Sequence, residues 1–90
     1  MDLDDWREKI DEFNKQILDL LNQRAQCALE AGKLKHAAGQ PLRAPDRETA
    51  ILNQIRQMND GPLSDEAAQR IFRQIIDESL RLEQDRGDGN

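Results

Sequence analysis

From Asp5 to about Ala38 the chain contains no proline and one glycine, Gly32. An interior glycine weakens a helix by only about 1 kcal/mol, so the stretch predicts one continuous helix. At a rise of ~1.5 Å per residue, thirty-odd residues span about 50 Å. A compact chain of 90 residues has a radius of gyration of only ~12 Å. A rod of that length protrudes from any compact monomer and calls for a second long helix beside it. The run also carries a 4-3 repeat: Trp6, Ile10, Phe13, Ile17, Leu20, Arg24, Cys27, Ala31 and Leu34. Eight of these nine positions are apolar or small, the pattern of a packing seam. The expectation is a dimer whose long helices cover one another.

The rest of the chain reads as two shorter helices. Gly39-Gln40-Pro41-Leu42-Arg43-Ala44-Pro45 is a loop, with Gly39 suited to a helix C-cap and Pro45 to a first helical turn. The second helix is expected from about Pro45 to Met58, followed by a turn at Asn59-Asp60-Gly61-Pro62. Ser64 is a suitable N-cap for a third helix reaching about Gln84, with Asp65 and Glu66 favourable in its first turn. No alternation with period two competes, and no internal repeat is present. The fold class is therefore all-α: a three-helix protomer with a long first helix, forming an intertwined homodimeric bundle. One domain over 1–84 is expected, with a frayed tail over 85–90.

Composition closes off several functions. The net charge is −5 and no basic stripe is present, which argues against nucleic acid. No run approaches a membrane span, and the acidic start Met1-Asp2-Leu3-Asp4-Asp5 lacks the apolar region of a signal peptide. One cysteine, Cys27, and one histidine, His36, leave nothing for a Cys/His metal site. The lone thiol suits a reducing, cytoplasmic setting.

Polar residues interrupt the apolar stripe of every helix. Arg24 stands in the middle of the first; on its own it reads as a guanidinium that snorkels to water or pairs with a core carboxylate. Cys27 reads as a small core residue, Trp6 as a packing anchor and His36 as a surface residue. Lys35 lies 11 residues after Arg24, which returns it to within about 20° of the same face, roughly 16 Å along the axis. Alone, Lys35 reads as a solvated lysine; with Arg24 it frames room for a small anion. In the second helix Arg47 and Glu48 extend the face of Ile51, Leu52, Ile55 and Met58. In the third, Ser79 and Glu83 occupy the stripe of Ala68, Phe72, Ile75, Ile76 and Leu82. Together these suggest a cation-rich polar cavity inside a helical bundle, whose guest is a small anion.

These residues resemble the all-helical, AroQ-class chorismate mutases. The resemblance runs from about Trp6 to Gln84. Its blocks are Trp6-Arg7-Glu8-Lys9-Ile10-Asp11, Ile17 to Arg24, Ala31-Gly32-Lys33-Leu34-Lys35, Pro41 to Glu48, and Ile75-Ile76-Asp77-Glu78-Ser79. It implies that Arg24 and Arg47 hold the substrate carboxylates. Lys35 would bind a carboxylate and the ether oxygen of the breaking bond, and Glu48 would accept from the ring hydroxyl. Ser79 would lie close to the ring, Glu83 would donate to the ether oxygen, and Arg7 would reach in from the other protomer. Geometry supports the last role. Arg7 and Arg24 are 17 residues apart on one helix, roughly 25 Å, beyond the ~6–7 Å reach of an arginine. They meet on one ligand only if two long helices pair antiparallel, which gives two equivalent sites.

Two positions depart from the family pattern. Ala44 stands where many members have an aspartate near the substrate. Glu83 stands where many bacterial members have glutamine, and a carboxylate donates only when protonated. The implied reaction is the intramolecular Claisen rearrangement of chorismate to prephenate, on the route to phenylalanine and tyrosine. It requires no nucleophile, metal or cofactor, only orientation and electrostatic preorganisation. The alternatives are an isochorismate-pyruvate lyase on the same scaffold, which the Ala44-Pro45 start resembles and Glu48 argues against, and a non-catalytic helical dimerisation or regulatory module.

Overall fold

In a computed structural model, which describes residues 1–88, the chain forms three helices and, among the described residues, no strand. They are α1 (Leu3–Ala37), α2 (Pro45–Met58) and α3 (Asp65–Asp88). None is long and apolar enough to cross a membrane.

Helix α1 begins two residues before the expected Asp5 because two aspartates cap it reciprocally. The Asp5 N–H donates to Asp2 Oδ1 at 2.9 Å, and the Asp2 N–H donates to Asp5 Oδ2 at 3.0 Å. The helix ends in a Schellman closure at Gly39, whose φ of 70° places it in the left-handed region. There the Gly39 N–H donates to His36 O at 3.1 Å and the Gln40 N–H to Lys35 O at 2.8 Å. Pro45 opens α2, as its fixed φ favours. Ser64 caps α3, its Oγ accepting from the Ala67 N–H at 3.0 Å. The Asn59 side chain ties the intervening turn by donating to Leu63 O and to Asp65 Oδ1. Nothing stops α3 at Gln84, and it continues to Asp88.

Helix α3 packs against both α1 and α2, whereas the backbones of α1 and α2 do not approach one another. The result is long and thin, 54 × 27 × 14 Å with a radius of gyration of 16.1 Å, against the ~12 Å of a compact chain this size. Apolar burial within the protomer is correspondingly slight: Ala68 and Ile76 are the buried apolar residues among the described residues, and neither is wholly so.

Apart from Arg24, the 4-3 stripe of α1 is not the face that packs on α3. The residues shielded there are Leu21, Arg24, Ala25, Ala28, Leu29, Gly32 and Lys35, a stripe with the 3.6-residue period of an ordinary helix contact. Trp6, Ile10, Phe13, Ile17 and Leu20 are all exposed, as are Cys27, Ala31 and Leu34. Cys27 is thus no core residue within the protomer, and Trp6, 53% exposed, anchors no packing there. His36 lies at the surface as expected.

Candidate active site

The shielded half of α1, the start of α2 and the second half of α3 enclose a cleft of about 290 Å³. Its shape follows from the closure of α1. Lys35 is in the last turn, and its Nζ donates to Leu42 O at 2.9 Å, folding the loop back toward α1. That brings Ala44 and the first turn of α2 to the cleft wall. Arg24, Lys35, Arg47, Glu48, Ser79 and Glu83 all line it; Arg7 does not. Arg7 lies on the exposed part of α1, and its Nη1 is 3.9 Å from Asp4 Oδ1.

Arg24 neither snorkels free nor meets a carboxylate. Its Nη1 donates to Ser79 Oγ at 2.9 Å, and Ser79 Oγ donates to Ile75 O at 2.9 Å. The hydroxyl relays Arg24 to the α3 backbone and fixes its direction without neutralising it. Among the described residues neither Arg24 nor Arg47 has an ion-pair partner. Two guanidiniums facing one cleft without counter-charges make a receptor for two carboxylates or one dianion.

The two acids are treated differently. Glu83 is almost wholly buried, its side chain 4% exposed, with Oε1 3.6 Å from Lys35 Nζ. It packs directly on Gly32, where a methyl group would lie 3.2 Å from Glu83 Cγ and 3.3 Å from Oε1. Glu48 is also buried, and its Oε1 accepts from Arg73 Nη1 at 2.7 Å and from Arg43 Nη2 at 3.0 Å. The hydrogen bond from Arg73, helped by the charge of Arg43, outweighs burial and holds the Glu48 carboxyl below the ordinary carboxylate range.

Gly32, Arg43, Arg73 and Asp77 were not among the expected site residues. Gly32 carried a usable signal, an unforced glycine three residues before Lys35 in a helix. The Arg73–Asp77 pair at i,i+4 was visible as helix-surface charge. Its link to Glu48 joins residues 25 apart in the chain and left no local trace. Ala44 offers the cleft a methyl and its backbone only, as its side chain dictates.

Comparisons with known proteins agree with one another. A family model for chorismate mutase type II matches residues 6–84. The chain is 45% identical over 77 residues to the bifunctional chorismate mutase/prephenate dehydratase of Neisseria gonorrhoeae, covering 86% of this chain and 21% of that protein. The chain spans between 21% and 24% of the length of the curated relatives it matches first. Among solved structures, chorismate mutase (form II) from Thermus thermophilus superposes with a TM-score of 0.89 at 34% identity, covering 91% of this chain and 93% of that one. Chorismate mutase from Helicobacter pylori in complex with prephenate superposes with a TM-score of 0.85 at 25% identity, covering 92% and 90%.

Proposed function

Since the chain belongs to the type II chorismate mutase family, we propose that it rearranges chorismate to prephenate, in the biosynthesis of phenylalanine and tyrosine. One observation carries the reading: Arg24 and Arg47 line one cleft on two different helices, both without a counter-charge among the described residues. Chorismate is a dianion, and its two carboxylates supply the missing charges. Holding both forces the enolpyruvyl arm over the ring, the conformer in which the new carbon–carbon bond forms.

The chemistry asks little else of the protein. As the ether bond breaks, negative charge builds on its oxygen. Lys35 stands to meet that charge, with Glu83 beside it as the second donor. Substrate binding then displaces the Lys35–Glu83 pairing of the free protein. Glu48 accepts from the ring hydroxyl. Ser79 aligns Arg24 and lies beside the ring.

The working unit is a homodimer with antiparallel first helices. The exposed apolar stripe from Trp6 to Leu20 supports this, because a second copy of the same stripe covers it. In that arrangement Arg7 of one protomer enters the partner's cleft. The thiol of Cys27 suits a reducing, cytoplasmic setting. The test is to mix the protein with chorismate and follow loss of its absorbance together with the appearance of prephenate. Turnover at a rate proportional to enzyme is expected; a folded dimer that leaves chorismate unchanged overturns the proposal.

A further inference from the structure

Glu48 lines the cleft, yet the groups that hold it are Arg43 and Arg73, which do not. Asp77 Oδ1 lies 3.5 Å from Arg73 Nη1 and 3.8 Å from Arg43 Nη2, closing a ring of two guanidiniums and two carboxylates. All the bonding to Glu48 falls on one oxygen, Oε1. The other, Oε2, is buried and has no hydrogen-bond partner among the described residues. A buried carboxylate oxygen left without a donor is unfavourable, and folded proteins contain few. In the wall of a ligand cleft, such an atom is suited to accept from a donor on the ligand.

We propose that Arg73 is a positioning residue for the reaction, which with Arg43 keeps Glu48 ionised and turned so that Oε2 alone meets the substrate hydroxyl. This rests on the mutase reading above and adds to it a residue outside the cleft. The reason lies in the charges that face Glu48. Arg24 and Lys35 approach from α1, Arg47 from its own helix, Arg43 from the loop, and Arg73, Asp77 and Glu83 from α3. When a dianion binds, Arg24, Lys35 and Arg47 are taken up by its oxygens. Arg43 and Arg73 then remain to offset Glu48, which otherwise repels the substrate or takes up a proton and stops accepting. Arg73 is the stronger of the two. It makes the shorter bond, and its side chain is 33% exposed against 60% for Arg43, so solvent screens it less.

The experiment is a pH series of kcat and KM on the intact dimer for wild type, Arg73→Gln, Arg73→Lys and Glu48→Gln. Arg73→Gln is expected to lose roughly tenfold or more in kcat/KM, the worth of a hydrogen bond to a charged group. Its acidic limb is expected to move to higher pH. Arg73→Lys restores the position of that limb but not the full rate, because a point charge does not reproduce the guanidinium fork. An Arg73→Gln enzyme with wild-type rate and profile, beside an impaired Glu48→Gln, overturns the clamp. Carbon-13 NMR of the side-chain carboxyls in wild type tests the clamp with neither turnover nor a folded Arg73 variant. The Glu48 signal, assigned by its loss in Glu48→Gln, is expected to stay that of a carboxylate in acid where the surface glutamates protonate. Protonation together with them overturns the clamp. Absence of any chorismate turnover in wild type overturns the mutase reading instead, and the NMR result then decides the clamp alone.

Discussion

The two halves of α1 invert each other. From Trp6 to Leu20 the helix presents large apolar side chains to solvent. From Leu21 to Lys35 it turns a guanidinium and an ammonium toward the protein interior and fits a buried carboxylate against Gly32. Neither arrangement is favourable for an isolated chain. Apolar surface gains about 25 cal/mol per Å² by leaving water, and charges lose solvation by entering the protein. In the proposed dimer a partner helix covers the first half, and in the proposed complex a dianion enters the second. Arg7 belongs to both, because it lies in the exposed half while its proposed work is in the partner's cleft.

The sharpest way to break this contrast is to charge the exposed half. Phe13→Glu places a carboxylate in the middle of the stripe, and in the proposed antiparallel pair its two copies would meet near the two-fold axis. It is expected to give a monomer by sedimentation, with activity reduced by several orders of magnitude, because each site loses its partner's Arg7. A Phe13→Glu protein that stays dimeric shows that the dimer does not use this stripe. A second form of the test mixes inactive Arg7→Ala and Arg24→Ala chains. In the mixed dimer one site carries both lesions and the other neither, so partial activity should return. No return despite demonstrated subunit exchange removes the shared site.

In the other half the contrast narrows to two lysines two residues apart. Lys35 lines the cleft, while Lys33 is exposed and donates to Glu30 at 3.1 Å. Lys35→Ala is expected to lose about 3–4 kcal/mol of transition-state stabilisation, as for other preorganised donors to developing charge. Lys33→Ala should change kcat/KM by less than about twofold, in keeping with an exposed ion pair. Equal losses at both positions would mean that Lys35 acts only as part of the surface.

The same division explains what was legible in the sequence. Gly39, Pro45 and Ser64 marked three helix ends correctly because each acts within its own turn, the first two through their backbone angles and Ser64 through its hydroxyl. The start of α1 was missed because its capping box pairs two aspartates instead of the usual serine and glutamate. The end of α3 was missed because Asp85 and Arg86 were read as tail although neither breaks a helix. Six candidate residues around one cleft were suggested by polar interruptions of apolar stripes and named through resemblance to a family. The 4-3 repeat was real, but periodicity does not say whether a stripe meets the same chain or another one. The Arg73–Glu48 bond was illegible because tertiary approach alone creates it.

Glu83 tests whether the buried half works by hydrogen-bond donation as well as charge. Glu83→Gln supplies a permanent amide donor of similar size, whereas Glu83→Ala supplies none. Glu83→Gln is expected to keep or raise kcat and Glu83→Ala to lose roughly a hundredfold, as for other preorganised donors to developing charge. Equal kcat in the two variants would show that Glu83 is not the donor.

Glu48 gives a smaller effect, on stability. Its folded pKa lies below the ordinary value of 4.5, chiefly through the Arg73 hydrogen bond. The unfolded chain therefore binds that proton first as acid is added. The stabilisation is fully present above the unfolded value and is lost as pH falls through the folded one. Urea midpoints measured from neutral pH down into the acid should decline less steeply for Glu48→Gln than for wild type; parallel declines would show that the pair does not contribute.

The smallest expected change in stability comes near the end of the second half, at Gly32, and it separates fold from function most cleanly. Gly32 sits inside a 35-residue helix, where replacing glycine by alanine ordinarily stabilises by about 0.4–1 kcal/mol. Here the added methyl would lie 3.2 Å from Glu83 Cγ and 3.3 Å from its carboxylate oxygen. That is tight enough to shift a side chain by a few tenths of an ångström, but not to break helix packing. The backbone gain and the local crowding oppose each other, so the melting temperature of Gly32→Ala should move by only a few degrees in either direction. Catalysis has no such compensation, because the atom displaced is the proposed donor to the ether oxygen, and small misplacements of a catalytic group are costly to rate. The expected result is a lowered kcat with KM nearly unchanged, since Arg24 and Arg47 still hold the carboxylates. Gly32→Ser should follow the same pattern. A large fall in melting temperature would mean that the glycine is required for helix packing; unchanged kcat would mean that the position of Glu83 is not critical to the reaction.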